Sequence, residues 1–270
     1  MIRLAVRVTG EHAEVVLAEL LELAPSGVEE VDLPGDRVEY AVYGPPGELP
    51  SLPDLRAAAG EALVEIHTSE VDDDWAERWR QFHRPVVLGD RLAVRPRWEP
   101  PSRAAIDLVI DPGQAFGTGA HATTRLCLEL MLSLPAGGSF LDLGCGSGVL
   151  AIAAAHLGWQ PVLARDSDPL SVEATGVNAR ANDAVVQAAR LDLRSEELPE
   201  AETVVANLLG PLLRALAGHL RDAPSPPRRL IASGLLIGEA DELAVTFARC
   251  GLGETERREQ GEWAALLLER

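Results

Sequence analysis

The sequence predicts an α/β protein: a mostly parallel, doubly wound sheet closed by an antiparallel hairpin, preceded by a small α+β domain. Three observations carry this. From residue 105 onward, short apolar runs alternate with longer amphipathic stretches, the rhythm of strands followed by crossover helices. The stretch FLDLGCGSGVLAIAAAHLG, residues 140–158, sets a glycine-rich turn between a short apolar run and a long one. The last eighteen residues, GETERREQGEWAALLLER, read as two strands joined by a tight turn at Gln260-Gly261.

In chain order, residues 2–8 (IRLAVRV) alternate like a half-buried strand. EHAEVVLAELLELAP then reads as an amphipathic helix ended by Pro25. Residues 27–32 and 37–43 are two further strands turned by LPGD, and GPPGELPSLP at 44–53 is loop. A helix over 54–63 and a strand over 64–70 complete this module. EVDDDWAERWRQFHRP follows, with acids first and arginines later, an order that suits a helix dipole. Its Trp75, Trp79 and Phe82 share one face, which points to packing against a neighbouring domain before a ligand box. Residues 86–100 read as a strand and a Pro-rich turn. The later strands are expected at 105–111, 139–143, 161–166, 185–191, 202–206 and 228–233, with helices at 122–134, 148–157, 168–182, 210–221 and 238–250. The domains read as 1–58 for the small module, 59–100 for a linker with the Trp-rich helix, and 101–270 for the α/β domain.

Composition narrows the chemistry. All 24 basic residues are arginine, so there is no P-loop lysine and no lysine for a Schiff base. None of the six histidines falls in a zinc-binding spacing, and the three cysteines, Cys127, Cys145 and Cys250, form neither a CxxC pattern nor a disulfide framework. No metal is expected, and the compartment is expected to be the reducing cytoplasm. The N-terminal run carries Arg3, Arg7 and Glu11, unlike a signal peptide, and no stretch is long enough to span a membrane. A net charge of −18 argues against direct nucleic-acid binding and is compatible with a basic partner.

The glycine turn sits where such sheets bind ligands, beyond the carboxyl ends of the strands. It departs from the dinucleotide pattern: after Gly144 and Gly146 the third glycine is Gly148, and the required position is Val149. Asp142 at its mouth would repel a pyrophosphate and favour a cation. Asp166, 22 residues after Gly144, is placed to accept ribose hydroxyls. A ligand with a ribose, a positive centre and no phosphate satisfies all three conditions, and S-adenosylmethionine is such a ligand. Asp192, after the third strand, can reach the adenine amine; an ordinary loop acid is an equal alternative.

DLGCGSG resembles the first motif of class I (Rossmann-like) methyltransferases. Together with DPGQAFGTGAHATTRLCLELM, DSDP at 166–169, VVANLL at 204–209 and GEWAALLL at 261–268, it resembles the PrmA family, which methylates ribosomal protein L11. The likeness runs over essentially the whole chain, strong at 111–209 and weak at 1–60. It implies that Phe116, Gly117, Thr118 and Gly119 close over the cofactor, and that Asn207, after the fourth strand, faces the methyl acceptor. Two glycines allow close backbone approach there, and Thr118 can hydrogen-bond the amino-acid end of the cofactor. His121 and Thr123 would start the next helix, with Thr123 as cap. Arg165, Ala120 and RPRWEPP depart from the family pattern.

Asn207 is followed by Leu208 and Leu209, with no aromatic to clamp a planar amide, which suits a flexible aliphatic amine. The expected activity is therefore transfer of methyl groups to lysine side-chain amines, and to an N-terminal amine as a further acceptor, of ribosomal protein L11, by a monomer. The small N-terminal module would recruit the protein substrate. The rivals are a small-molecule amine methyltransferase with the same core and a non-catalytic S-adenosylmethionine-binding module.

Overall fold

A computed structural model describes residues 2–10, 13, 16–17, 20, 28–35, 37–44, 49–50, 55–56, 59–70, 85–111 and 121–270. The chain divides into two compact units, Met1–Phe82 and His83–Arg270. The expected 59–100 segment is shared between them.

In the first unit, β1 (Ile2–Thr9), β2 (Glu29–Leu33), β3 (Arg37–Gly44) and β4 (Leu63–Glu70) form an antiparallel sheet in the order β2-β3-β1-β4. The period-two pattern of β1 decides which face is buried. Leu4, Val6 and Val8 join Val38 and Tyr40 in a core with Ala13, Val16, Leu20, Leu55 and Ala59. The described residues between the first two strands thus carry the spacing of an amphipathic helix. On the other face Glu39 is shared by Arg3 and Arg7, each at 2.6 Å. Burial opposes ionisation of Glu39, but hydrogen bonds from Arg3 and Arg7 outweigh it and hold its carboxyl below the usual range. Trp75, Trp79 and Phe82 lie outside the described residues.

In the second unit, β5 (Val86–Leu88), β6 (Leu92–Arg95) and β7 (Ile106–Val109) make a small separate sheet. This corrects one expectation: the strand at 105–111 does not open the main sheet. It pairs in parallel with β6. Asp107 of β7 forms an ion pair with Arg95 of β6 at 2.9 Å, which ties the two strands together. The Asn182 side chain fixes the strand further, accepting from the Val109 N–H at 2.7 Å and donating to its carbonyl at 2.8 Å.

The main elements follow as α1 (Ala122–Ser133), β8 (Phe140–Leu143), α2 (Val149–Leu157), β9 (Val162–Asp166), α3 (Pro169–Ala181), β10 (Gln187–Arg190), β11 (Thr203–Asn207), α4 (Gly210–Asp222), β12 (Arg229–Leu236), α5 (Ile237–Ala248), β13 (Gly253–Gln260) and β14 (Trp263–Glu269). The seven strands lie in the order β10-β9-β8-β11-β12-β14-β13. The first five are parallel, and β14 runs antiparallel to both its neighbours, as the hairpin reading requires. Strand order reverses between β8 and β11, which makes the carboxyl end of β8 the switch point.

Two apolar layers hold the sheet. Phe140, Val162, Val205 and Ile231 pack with α1 and α2 on one face. Leu141, Leu143, Val204, Leu230 and Leu266 pack with α4 and α5 on the other. All four residues of β8 are buried, including its one acid, Asp142.

Candidate functional site

The glycine turn leaves β8 along a path that L-residues rarely take. Gly144, Gly146 and Gly148 have φ of 72°, 50° and 83°. The Gly144 and Cys145 N–H groups both donate to the Arg165 carbonyl, at 2.8 and 3.1 Å, which pins the turn to β9. From the other side α3 holds it. The Thr175 hydroxyl donates to the Gly146 carbonyl at 3.0 Å and the Asn178 amide to the Ser147 carbonyl at 2.9 Å. A Cβ at Gly148 would lie 2.8 Å from Thr175 Cγ2, so the third glycine serves helix approach. Sequence reasoning missed Thr175 and Asn178. Their signal was present: Ser171, Thr175 and Asn178 are spaced i, i+4, i+7 on one helix and are all buried.

Asp166 closes the turn from β9. Its Oδ2 accepts the Gly146 N–H and its Oδ1 the Asp168 N–H, both at 3.0 Å. The residue is half-buried, so each oxygen keeps a lone pair for a ligand. Its carbonyl accepts the Leu191 N–H at 2.9 Å, which fixes the chain one residue before Asp192. Asp192 is itself half-buried in a turn and accepts the Arg194 N–H at 2.9 Å.

Asp142 lies beneath the turn with 1% of its surface exposed. Its Oδ2 accepts the Ala151 N–H of α2 at 3.0 Å, and its Oδ1 has no partner among the described residues. Burial raises its pKa to about 7; the Ala151 hydrogen bond opposes the rise and the nearby Asp166 charge adds to it.

The other side of the switch point carries Asn207. It ends β11 opposite Ser233 in register, and its Nδ2 donates to Thr124 Oγ1 of α1 at 3.4 Å. The next residue, Leu208, donates its N–H to the Ser233 carbonyl at 2.9 Å. Its side chain covers the glycine turn: a Cβ at Gly144 would run into Leu208 Cδ2. Behind it a β-bulge interrupts β12 at Gly234, where φ is 82° and a Cβ would lie 2.6 Å from the Leu208 carbonyl oxygen. Sequence reasoning missed Gly234 and Thr124, since neither lies in a motif read for chemistry.

The cap of α1 is His121, which corrects the expectation of Thr123. The His121 ring nitrogen Nδ1 accepts the Thr123 N–H at 3.3 Å and lies 2.8 Å from the Thr123 hydroxyl. The imidazole meets Trp263 edge-on, with ring centroids 5.0 Å apart, and burial lowers its pKa from the usual value. Arg165, unusual in a strand, lays its guanidinium along the sheet edge and donates to the carbonyls of Ala164 and Gln187 at 2.8 and 2.6 Å. Phe116, Gly117, Thr118, Gly119 and Ala120 lie outside the described residues. Among the described residues no group of three or more His, Cys, Asp or Glu side chains is arranged to hold a metal ion.

The geometry thus joins backbone amides, a half-buried carboxylate and an unpartnered buried carboxyl on one side of the switch point, with a tethered amide on the other. Comparison with known proteins shows the family. A family described as ribosomal protein L11 methyltransferase (PrmA) matches residues 54–270. The ribosomal protein L11 methyltransferase of Parasynechococcus marenigrum is 38% identical over 234 residues, 82% of this chain and 81% of its own length. That of Burkholderia multivorans is 37% identical over 273 residues, covering 91% of this chain and 90% of its own. The crystal structure of ribosomal protein L11 methylase from Lactobacillus delbrueckii subsp. bulgaricus is similar with a TM-score of 0.60 and 28% identity, over 70% of this chain and 99% of that one.

Proposed function

This chain belongs to the ribosomal protein L11 methyltransferase (PrmA) family, and from that premise we propose that it moves methyl groups from S-adenosylmethionine to lysine amines of ribosomal protein L11. An N-terminal α-amine is a further acceptor. The observation that carries the donor assignment is the Asp142–glycine turn–Asp166 cluster. It brings the glycine backbone close to a nucleoside and offers it a carboxylate, and it holds a buried acid oxygen with no partner among the described residues. A cationic nucleoside fits that set, and a pyrophosphate does not. When bound, S-adenosylmethionine supplies an electrophilic methyl carbon on a positively charged sulfur.

The residues of this chain supply position. Asp166 turns its remaining lone pairs to the ribose hydroxyls, while Gly144 and Gly146 let the backbone come close to the amino-acid end. Asp192 contacts the adenine edge. At Asn207 the amide nitrogen is occupied by Thr124, which leaves Oδ1 to accept from the acceptor amine. That amine must be neutral to attack. A free lysine titrates near 10.4, and leaving water for the apolar surroundings of Leu208 lowers that value. Holding nitrogen, methyl and sulfur in line is the main source of rate. None of the described side chains is assigned as a general base.

Residues 1–58 are assigned to recruiting the protein substrate, and the enzyme to a monomer. No described helix is long and apolar enough to cross a membrane. The test is to incubate the protein with methyl-labelled S-adenosylmethionine and purified ribosomal proteins. Label on L11 lysines is expected. Label that appears only on free amines would replace the reading with a small-molecule enzyme. Cofactor binding without any transfer would leave a binding module.

A further inference from the structure

Among the described residues, no counter-charge acts on Asp142. Each element packed around it brings something neutral or negative. Its register neighbours are Ala164 on β9 and Val205 on β11. Helix α2 brings the Ala151 N–H, and the glycine turn brings the Cys145 thiol. Helix α1 brings the Cys127 thiol, and β9 brings the Asp166 carboxylate. Burial raises the Cys127 thiol to about 12 and pushes the Cys145 thiol up as well, so both are neutral. Residues 112–120, PGQAFGTGA, carry no ionisable side chain. Among the described residues, the ionised form of Asp142 therefore has one hydrogen bond and one like charge nearby, and no cation acts on it. One oxygen, buried and without a partner among the described residues, remains over.

We infer that Asp142 senses the charge of the bound nucleoside: it holds a proton in a share of the ligand-free molecules and releases it to solvent when a cation occupies the glycine turn. This rests on the cofactor reading above and extends it. No bond other than the carboxyl O–H changes; the proton goes to water, and the carboxylate then faces the sulfonium. After methyl transfer the sulfur is a neutral thioether. The carboxylate has lost its partner and takes a proton back, so the site favours the methyl donor over the spent product. With a ligand-free pKa of about 7, both forms of the carboxyl are populated at neutrality. The preference for donor over product therefore grows as pH rises through that value.

Titration calorimetry on the full-length protein at pH 7.0, in buffers of different ionisation enthalpy, tests this. The ligands are S-adenosylmethionine and S-adenosylhomocysteine, with wild type compared against Asp142→Asn. If the cation lowers the carboxyl pKa by about one unit, protonation falls from about a half to about a tenth. Wild type then releases about 0.4 proton more than the variant on binding the donor. The cofactor's own α-amine titrates near 8, so the difference between proteins is the readout. Wild-type affinity for the donor should rise about fivefold from pH 6 to 8 on the same one-unit assumption. Affinity for the product should change much less.

Donor binding with the same proton count in both proteins overturns the inference while leaving the cofactor reading standing. Should Asp142→Asn fail to fold, the wild-type ratio of donor to product affinity decides: a ratio independent of pH overturns it too. Wild type that binds neither nucleoside removes the cofactor reading itself.

Discussion

Substituting Asp166 by alanine separates two jobs that one carboxylate performs. In the ligand-free protein it accepts the Gly146 and Asp168 N–H groups, each at 3.0 Å. A hydrogen bond to a charged group contributes about 1.5–3 kcal/mol. Asp166 is half-buried, so water reclaims part of that, and the expected loss is about 2–3 kcal/mol for the pair. For a unit the size of His83–Arg270, about 2–4 °C is lost per kcal/mol, so the melting temperature should fall by about 4–12 °C. The second job is to the ligand. Removing one ribose hydrogen bond of about 1.5 kcal/mol weakens binding about tenfold, and removing two weakens it about a hundredfold. Differential scanning calorimetry without ligand reads the first effect, and isothermal titration with S-adenosylmethionine reads the second. Affinity within twofold of wild type would sink the ribose assignment. An unchanged melting temperature would show that the carboxylate does not anchor the turn.

Asn207→Ala should leave cofactor affinity nearly intact and slow single-turnover methylation by about 2 kcal/mol or more, by analogy with a lost oxyanion-hole donor; the remaining rate should still rise with pH. Normal turnover in that variant would move the acceptor site elsewhere. Gly234→Ala places a Cβ 2.6 Å from a backbone oxygen at φ 82°, so it should destabilise the fold by at least about 2 kcal/mol and depress kcat before it changes cofactor binding. Asp142 has a folded pKa of about 7, above the unfolded value of about 3.9. The stability this confers is present below the unfolded value and is lost as pH rises through 7. Ligand-free Asp142→Asn should therefore gain more thermal stability over wild type at pH 8.5 than at pH 5, and equal differences at both would count against the buried charge. A chain beginning at His83 should bind S-adenosylmethionine with wild-type affinity and lose most of its kcat/KM on the protein substrate; unaltered kcat/KM would end the recruiting role.

The parallel sheet, its closing hairpin and the glycine turn were legible because each follows from local pattern. FLDL is apolar enough for a central strand, and Gln260-Gly261 is a short-range turn signal. Strand β7 was misplaced for the same reason: IDLV looks like a sheet strand in isolation, and only the distant partners Arg95 and Asn182 reveal its separate sheet. His121 was passed over as a cap because an imidazole acceptor is less common there than a hydroxyl. Thr175, Asn178, Thr124 and Gly234 act across long sequence separations. Their roles depend on which helix face meets which loop, and single-sequence periodicity does not report that.

Leu208 has a consequence for anyone who alters this protein. One side of it fills the space a Cβ at Gly144 would need, and its backbone fills the space above Gly234. Donor loop and acceptor strand are therefore geared together through one aliphatic residue. Changes at 144, 208 and 234 will not add: a smaller side chain at 208 relieves the contact of a methyl at 144 but not the strain of its φ of 72°. A search for variants with new acceptors that samples one position at a time will meet mostly dead intermediates. Sampling the three positions jointly is the route by which the spacing between donor and acceptor can be reset.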